Sequence, residues 1–161
     1  MRQVIDETLR VSVLAPFAAR YQDFDVTLGG HLIRNGTPVI HALGVSFMSD
    51  RYFPNPKESV SDIRVATTFV HALFDPENFS SASIKSRPRE AFQPFGFGGG
   101  RVCPGQQYTY KGMAIVLAVF LRAFKVYLVP GQRPQHSHGF VSHPVNEYGG
   151  DLRITVEKRG K

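Results

Sequence analysis

Cysteine and tryptophan are scarce in this chain, whose 161 residues include one cysteine and no tryptophan. A single cysteine excludes an internal disulfide, a CxxC redox motif and a cysteine-rich zinc site. Long hydrophobic runs are lacking as well. The best candidate, residues 113–121, is much shorter than the roughly 20 apolar residues that span a bilayer, so we expect it to belong to a buried helix.

Acidic residues are the minority charge, because 13 Asp and Glu stand against 19 Lys and Arg, for a net charge of +6. A basic surface suits an acidic protein partner, a nucleic acid or an anionic membrane face. The basic residues are dispersed, without the cluster typical of a nucleic-acid patch, so a nucleic-acid-binding module is the weakest of these interpretations.

No serine lies in the context of a hydrolase nucleophile, and residues 1–7 lack the apolar core of a signal peptide.

Apolar periodicity and turn residues divide the chain into short elements. The predicted elements are a helix at 3–11, strands around hairpin signals at 29–30 and 35–36, a strand beginning at 38, a helix at 106–124, and strands at 126–129 and 152–156. The helix at 106–124 is apolar nearly all round in its middle, which indicates burial within a larger body.

The lone cysteine, Cys103, lies in the glycine-rich segment 95–105, directly before that apolar helix. Glycines let the backbone approach a flat cofactor closely and adopt positive φ. Arg101 and the amino end of the helix both favour the ionised sulfur, so the segment predicts a metal-ligating thiolate. Upstream, Glu7 and Arg10 stand three apart on the first helix and share a face, which taken alone indicates only a surface ion pair.

Three histidines provide the other candidate metal ligands: His136, His138 and His143. They lie in a stretch rich in glycine, histidine and proline, at residues 131–150. No carboxylate or cysteine keeps ligand spacing with them. We therefore expect a solvent-exposed loop here.

Together these segments resemble the carboxy-terminal part of a cytochrome P450, a haem-thiolate monooxygenase. The matching segments, in the family's order, are Glu7-Thr-Leu-Arg10 for its ExxR helix, residues 15–37 for its small β region, Phe74-Asp-Pro-Glu-Asn-Phe79 for its PERF segment and residues 94–105 for its cysteine-ligand loop. Details such as Tyr21-Gln-Asp, Ala42-Leu-Gly-Val and the ending Ile154-Thr-Val-Glu-Lys-Arg are similar to the animal orphan family numbered twenty. The resemblance implies a mostly α fold with small β-sheets, and one partial domain over residues 1–161.

The resemblance assigns a haem site to this chain. The cofactor-binding residues that it implies are Cys103, Arg101, Arg20, Gly99, Gly105, Phe95 and Phe97. Cys103 would ligate the iron, the two arginines would reach haem propionates, and Gly99 and Gly105 would permit close approach of the loop to the porphyrin. Glu7 and Arg10 would be structural residues needed for haem retention. No catalytic residue is implied within this chain.

The activity implied by the family is insertion of one oxygen atom from O2 into a small apolar substrate. Electrons would come from a flavoprotein reductase or a ferredoxin, and the full-length enzyme would sit in the endoplasmic reticulum membrane. We expect the membrane anchor and the oxygen-activating distal helix, with its acid–alcohol pair, to precede residue 1. The alternative is a truncated, non-catalytic fragment that binds haem or a partner.

Four features depart from the family's pattern. Gly96 stands seven residues before the cysteine, where a phenylalanine is usual, and Asn78 replaces the arginine of the PERF segment. The helix after the cysteine has Lys111-Gly112 in the stretch where the family often has glutamate. Residues 59–73 form an apparent insertion, for which a retained intron or gene-model error and a real surface loop are the two explanations.

Overall fold

The computed structural model describes residues 1–54, 74–97, 99–132, 135–136, 144–146 and 148–160. The apparent insertion at 59–73 lies outside these residues, as do His138 and His143. The helices are α1 (Arg2–Ser12), α2 (Leu43–Phe47), α3 (Ser81–Lys85) and α4 (Gln106–Ala123), with 3-10 helices at Pro76–Phe79, Arg89–Ala91 and Gly99–Arg101. The strands are β1 (Ala18–Arg20), β2 (Val26–Leu28), β3 (His31–Ile33), β4 (Val39–His41), β5 (Phe124–Leu128), β6 (Gln135–His136), β7 (Pro144–Val145) and β8 (Ile154–Lys158).

Helix α1 buries both apolar and charged side chains. Ile5 and Leu9 share one face and are 2% and 6% exposed, as in an amphipathic helix. The helix ends where Val13 takes a left-handed conformation with φ 41° and donates its N–H to the carbonyl of Leu9. Glu7 and Arg10 are buried beside these apolar residues, so α1 carries charge into the interior.

The described strands form four antiparallel pairs, β1–β4, β2–β3, β5–β8 and β6–β7. The predicted hairpin at 29–30 is confirmed, because Gly29 and Gly30 have φ of 57° and 84° and connect β2 directly to β3. The expectation of a second hairpin at 35–36 is wrong. Gly36 does occupy a turn, with φ 74°, but β3 and β4 on either side of it belong to different sheets.

The core lies between α1, α2 and the segment that follows residue 74. Phe47, Phe53 and Phe79 are 2–4% exposed, and the half-buried Phe92 packs against all three rings. Aromatic side chains therefore bridge elements that are distant in sequence.

Helix α4 lies outside this core. None of its residues is buried by the described part of the chain, although the sequence indicates burial. Ile115, Val116 and Val119 are more than 60% exposed. Among the described residues, no helix is both long and apolar enough to cross a bilayer.

Candidate functional site

The glycine-rich loop folds back on itself and presents Cys103 at the surface. The Cys103 N–H donates to the carbonyl of Phe95 at 2.9 Å, and the Cys103 carbonyl accepts from the N–H of Gln106 at 3.2 Å. The second bond leads into α4, whose 18 residues begin at Gln106. Cys103 is thus held three residues before the positive end of a helix dipole.

A cavity of about 410 Å³ opens beside the sulfur. Cys103, Arg20, Arg101 and Phe95 line it, so four of the seven predicted cofactor-binding residues meet there. The apolar part of its wall includes Leu9, Leu14, Ala18, Leu43, Phe47 and Met113. Its volume falls within the range of small-molecule and cofactor sites, and one sulfur with two guanidinium groups suits a flat apolar ligand that carries a metal and anionic substituents.

Arg20 and Phe97 join the loop to the β1–β4 sheet. Arg20 donates from Nη2 to the carbonyl of Phe97 at 2.9 Å, and its guanidinium lies 4.9 Å from the centre of the Phe97 ring. The same ring contacts His41 edge to face, at a centroid distance of 4.7 Å. Phe97 therefore lies against the sheet and does not line the cavity, in contrast to Phe95.

The glycines of the loop have different structural roles. Gly96 has φ 84° and Gly99 has φ 54°, conformations that L side chains rarely adopt. A phenylalanine at position 96 would therefore be strained, and the aromatic rings lie on either side of it. A Cβ at Gly105 would meet the Cys103 sulfur at 3.6 Å, an ordinary contact, so the sulfur itself leaves room for a side chain there.

Glu7 and Arg10 form a buried ion pair, so the alternative of a surface pair is wrong. Arg10 Nε and Nη2 donate to the two carboxylate oxygens of Glu7 at 2.7 Å each, and the side chains are 2% and 0% exposed. Arg10 Nη1 donates to the carbonyl of Phe47 at 3.0 Å, which ties α1 to α2. Burying such a pair is costly unless its other donors and acceptors are used, and the bond to Phe47 uses one of these donors.

The PERF-like segment supplies the remaining donors to Glu7. The backbone N–H of Asp75 donates to Glu7 Oε1 at 2.8 Å, and Asn78 Nδ2 donates to the same atom at 3.2 Å. Asp75 also caps the 3-10 helix Pro76–Phe79, accepting the N–H of Glu77 at 3.0 Å. Asn78 thus keeps a contact with the ExxR helix without bringing a positive charge.

Sequence reasoning missed a second charged contact, between α1 and α4. Tyr110 donates its hydroxyl to Asp6 Oδ1 at 2.6 Å, and Arg2 donates to Asp6 Oδ2 at 2.8 Å. Burial, followed by the hydrogen bond to Asp6, raises the pKa of Tyr110. The spacing of Arg2 and Asp6 predicts an ion pair, but no local sequence pattern indicates Tyr110. The ring of Tyr110 also packs against that of Phe95 in the loop, at a centroid distance of 5.2 Å.

Arg87 is the other residue that sequence reasoning missed. Its guanidinium lies 4.4 Å from the centre of the Phe53 ring and donates to the carbonyl of Asn78 at 2.6 Å.

In the part of the chain that the structure describes, no three His, Cys, Asp or Glu side chains cluster as a metal site would require. Cys103 therefore stands without companion ligands of those types among these residues.

The comparisons with known proteins agree with the motifs. The sequence matches the family model described as Cytochrome P450 over residues 1–148. It is 31% identical to cytochrome P450 20A1 of Bos taurus over 158 residues, which are 98% of this chain and 29% of the relative. It is also 31% identical to beta-amyrin 11-oxidase of Glycyrrhiza uralensis over 126 residues, which are 78% of this chain and 22% of that enzyme.

Solved structures share the fold. The crystal structure of a cytochrome P450 (CYP102L1) superposes with a TM-score of 0.78 and 27% identity, covering 98% of this chain and 31% of that one. The chain thus spans about 29% of the length of the first curated relatives and about 31% of this solved structure. The resemblance drawn from the motifs, including that to the animal family numbered twenty, is confirmed by these matches. The chain belongs to the cytochrome P450 family.

Proposed function

We propose that this chain binds haem through Cys103 and forms the thiolate-ligand part of a monooxygenase. The observation that carries the proposal is the cavity that brings Cys103, Arg20 and Arg101 together beside an apolar wall. The family implies haem as the cofactor.

The residues of the cavity fit this cofactor. A porphyrin needs an axial ligand for its iron, apolar surroundings for its ring and positive charge for its propionates. Cys103 offers the sulfur, Arg20 and Arg101 offer guanidinium groups, and Leu9 and Phe47 belong to the apolar wall. The chemistry that thiolate-ligated haem supplies is cleavage of the O–O bond, favoured by electron donation from the sulfur.

In this proposal the protein residues hold the haem and orient the groups that contact it. The backbone of Cys103 is fixed by its bonds to Phe95 and Gln106, which holds the residue at the cavity that the sulfur lines. Arg20 is already bonded to the Phe97 carbonyl, so its charge is oriented by the loop that it would serve. The buried pair of Glu7 and Arg10 keeps α1 and α2 in place behind the cavity wall.

The wider reaction follows from the family. We propose a small apolar substrate, O2, and electrons from a flavoprotein reductase or ferredoxin. One relative is named as an 11-oxidase of beta-amyrin, which supports an apolar substrate class. The net charge of +6 supports an acidic electron donor. Placement at the endoplasmic reticulum membrane belongs to the same proposal.

Replacing the sulfur tests this function. The full chain and its Cys103→Ala variant are loaded with haem, reduced and exposed to carbon monoxide, and their absorption spectra are recorded. We expect the original chain to give the Soret band of thiolate ligation and C103A to lose it, because no other cysteine is present. Ser86→Ala, a truncation of similar size at an exposed position, serves as control.

A measurement of oxygen consumption on the same haem-loaded chains separates the two candidate functions. Oxygen consumption that depends on an apolar substrate and a reductase supports the monooxygenase. A thiolate spectrum without turnover supports the alternative, a non-catalytic chain that binds haem. An unchanged spectrum in C103A contradicts both.

A further inference from the structure

The charges buried around α1 are unevenly matched. Asp6 and Glu7 are 5% and 0% exposed, whereas Arg10 is the buried cation of that helix at 2%. Asp6 is paired with Arg2, whose side chain is 63% exposed. Glu7 faces the Pro76–Phe79 segment, where Asn78 contacts it with a neutral amide. A buried carboxylate is stabilised by positive charge nearby, so a cation close to Asn78 would add to the hold that Arg10 has on Glu7.

Arg87 brings a second positive charge to this place from another part of the chain. It lies in the turn after α3, and its Nη1 donates to the Asn78 carbonyl at 2.6 Å. The amide side chain of the same Asn78 donates to Glu7 Oε1 at 3.2 Å. Asn78 is therefore held between a carboxylate and a guanidinium. The pKa of Arg87 is lowered by burial and by the positive charge of Arg10, and the charges of Glu7 and Asp6 oppose this shift.

The guanidinium also covers two aromatic rings of the core. Arg87 lies 4.4 Å from the centre of the Phe53 ring and 4.7 Å from that of Phe79. Phe79 packs on Phe92 at 4.6 Å, and Phe92 stands shortly before Pro94, where the cysteine loop begins. A contact made by Arg87 is thus connected through two rings to the base of that loop.

We propose that Arg87 is a positioning residue, which supplies from outside the PERF-like segment the positive charge that Asn78 does not bring. It holds Asn78 against Glu7 and fixes the aromatic cluster of Phe53, Phe79 and Phe92 beneath the cysteine loop. The consequence for haem rests on the proposed function. The consequence for the loop and the core does not.

Moving the arginine tests the role directly. Three variants of the full chain are compared with the original: Arg87→Gln, Asn78→Arg with Arg87→Gln, and the control Arg89→Gln. Arg89 is an exposed arginine two residues further along, so its loss changes the net charge equally. The readouts are the thermal unfolding midpoint without haem, and, after haem loading, the rate of haem loss and the fraction that keeps the thiolate-type carbon monoxide spectrum.

We expect R87Q to lower the unfolding midpoint and to lose haem about tenfold faster, while R89Q resembles the original chain. The double variant N78R/R87Q should recover most of both losses, because position 78 contacts the Glu7 carboxylate directly and a guanidinium there would supply the charge that R87Q removes. If R87Q behaves as R89Q does, or if the double variant is no better than R87Q, the proposal is overturned. Absence of a thiolate spectrum in the original chain would count against the proposed function alone, since the unfolding midpoints still test Arg87.

Discussion

At the scale of single residues, the two neighbouring carboxylates of α1 face different parts of the molecule. Glu7 pairs with Arg10 and accepts bonds from Asp75 and Asn78, whereas Asp6 accepts the hydroxyl of Tyr110. Helix α1 is thereby attached on one side to the PERF-like segment and on the other to α4. Because Tyr110 also contacts Phe95, the Asp6 contact reaches the cysteine loop.

The hydroxyl of Tyr110 gives this contact a dependence on pH. The pKa of Tyr110 is raised in the folded chain, so the stability that the neutral phenol contributes is complete below its ordinary value, about 10. That contribution is lost as the pH rises from there through the folded value. Tyr110→Phe should cost about 1 kcal/mol at neutral pH, since Asp6 loses a donor, and should make the alkaline loss of stability shallower.

Urea unfolding from pH 7 to the alkaline range measures the effect. Tyr108→Phe is the matched control, because Tyr108 lies two residues away and is 83% exposed. Equal alkaline slopes in the original chain and in Y110F would show that the Asp6 contact does not carry the pH dependence.

The sequence predicts some residues of these contacts and not others. The spacing of Glu7 and Arg10 predicts a shared helix face and family resemblance predicts their structural role, but spacing contains no information on burial. The partners Asn78 and Tyr110 stand 71 and 104 residues away from the carboxylates that they contact. Contacts at such separations depend on the tertiary fold, and Arg87, in a stretch interrupted by prolines, has no periodic pattern that would single it out.

At the scale of elements, the cysteine loop depends on positive-φ conformations, which the sequence predicts without indicating which glycines adopt them. Glycines indicate positive φ somewhere in the segment, and the structure places it at Gly96 and Gly99. Gly100 follows directly, with open space around it and no positive φ. The glycine signal at 29–30 was sufficient for a hairpin, whereas the one at 35–36 was not, because strand pairing there depends on partners outside the turn.

Gly99 and Gly100 provide a matched pair of substitutions in the 3-10 helix Gly99–Arg101. Gly99→Ala should destabilise the chain by about 1–2 kcal/mol, because φ 54° is unfavourable for an L side chain even though no atom lies within 4 Å. Gly100→Ala should be neutral or slightly stabilising, since it restricts the unfolded chain. Thermal unfolding of both variants checks this. Equal destabilisation by G99A and G100A would show that the positive φ of Gly99 is not what requires glycine here.

At the scale of the whole molecule, α4 presents an apolar face that the described residues do not cover. Ile115 and Val119 are 63% and 66% exposed and lie one turn apart on the same face. The sequence predicted the helix, at 106–124 against the observed Gln106–Ala123, and also its apolar character. Its surroundings could not be predicted from periodicity. An all-round apolar pattern indicates that the helix is buried, but it does not identify the surface that covers the helix.

The exposed face of α4 should make the isolated chain associate. Exposed contiguous apolar surface is an interaction liability, so we expect the chain on its own to aggregate as its concentration rises. The variant Ile115→Lys with Val119→Lys should reduce association by at least about tenfold in concentration, since it places two charges on that face.

The control is Leu28→Lys with Leu32→Lys, which changes two apolar residues of the β2–β3 hairpin that are 57% and 59% exposed. Light scattering over a concentration series, followed by sedimentation velocity, separates the variants. Because the control adds the same charge at a place without a helical apolar face, a general effect of net charge would improve both variants equally and would contradict the assignment to α4. Improvement confined to the α4 variant would identify this face as the surface through which the chain associates.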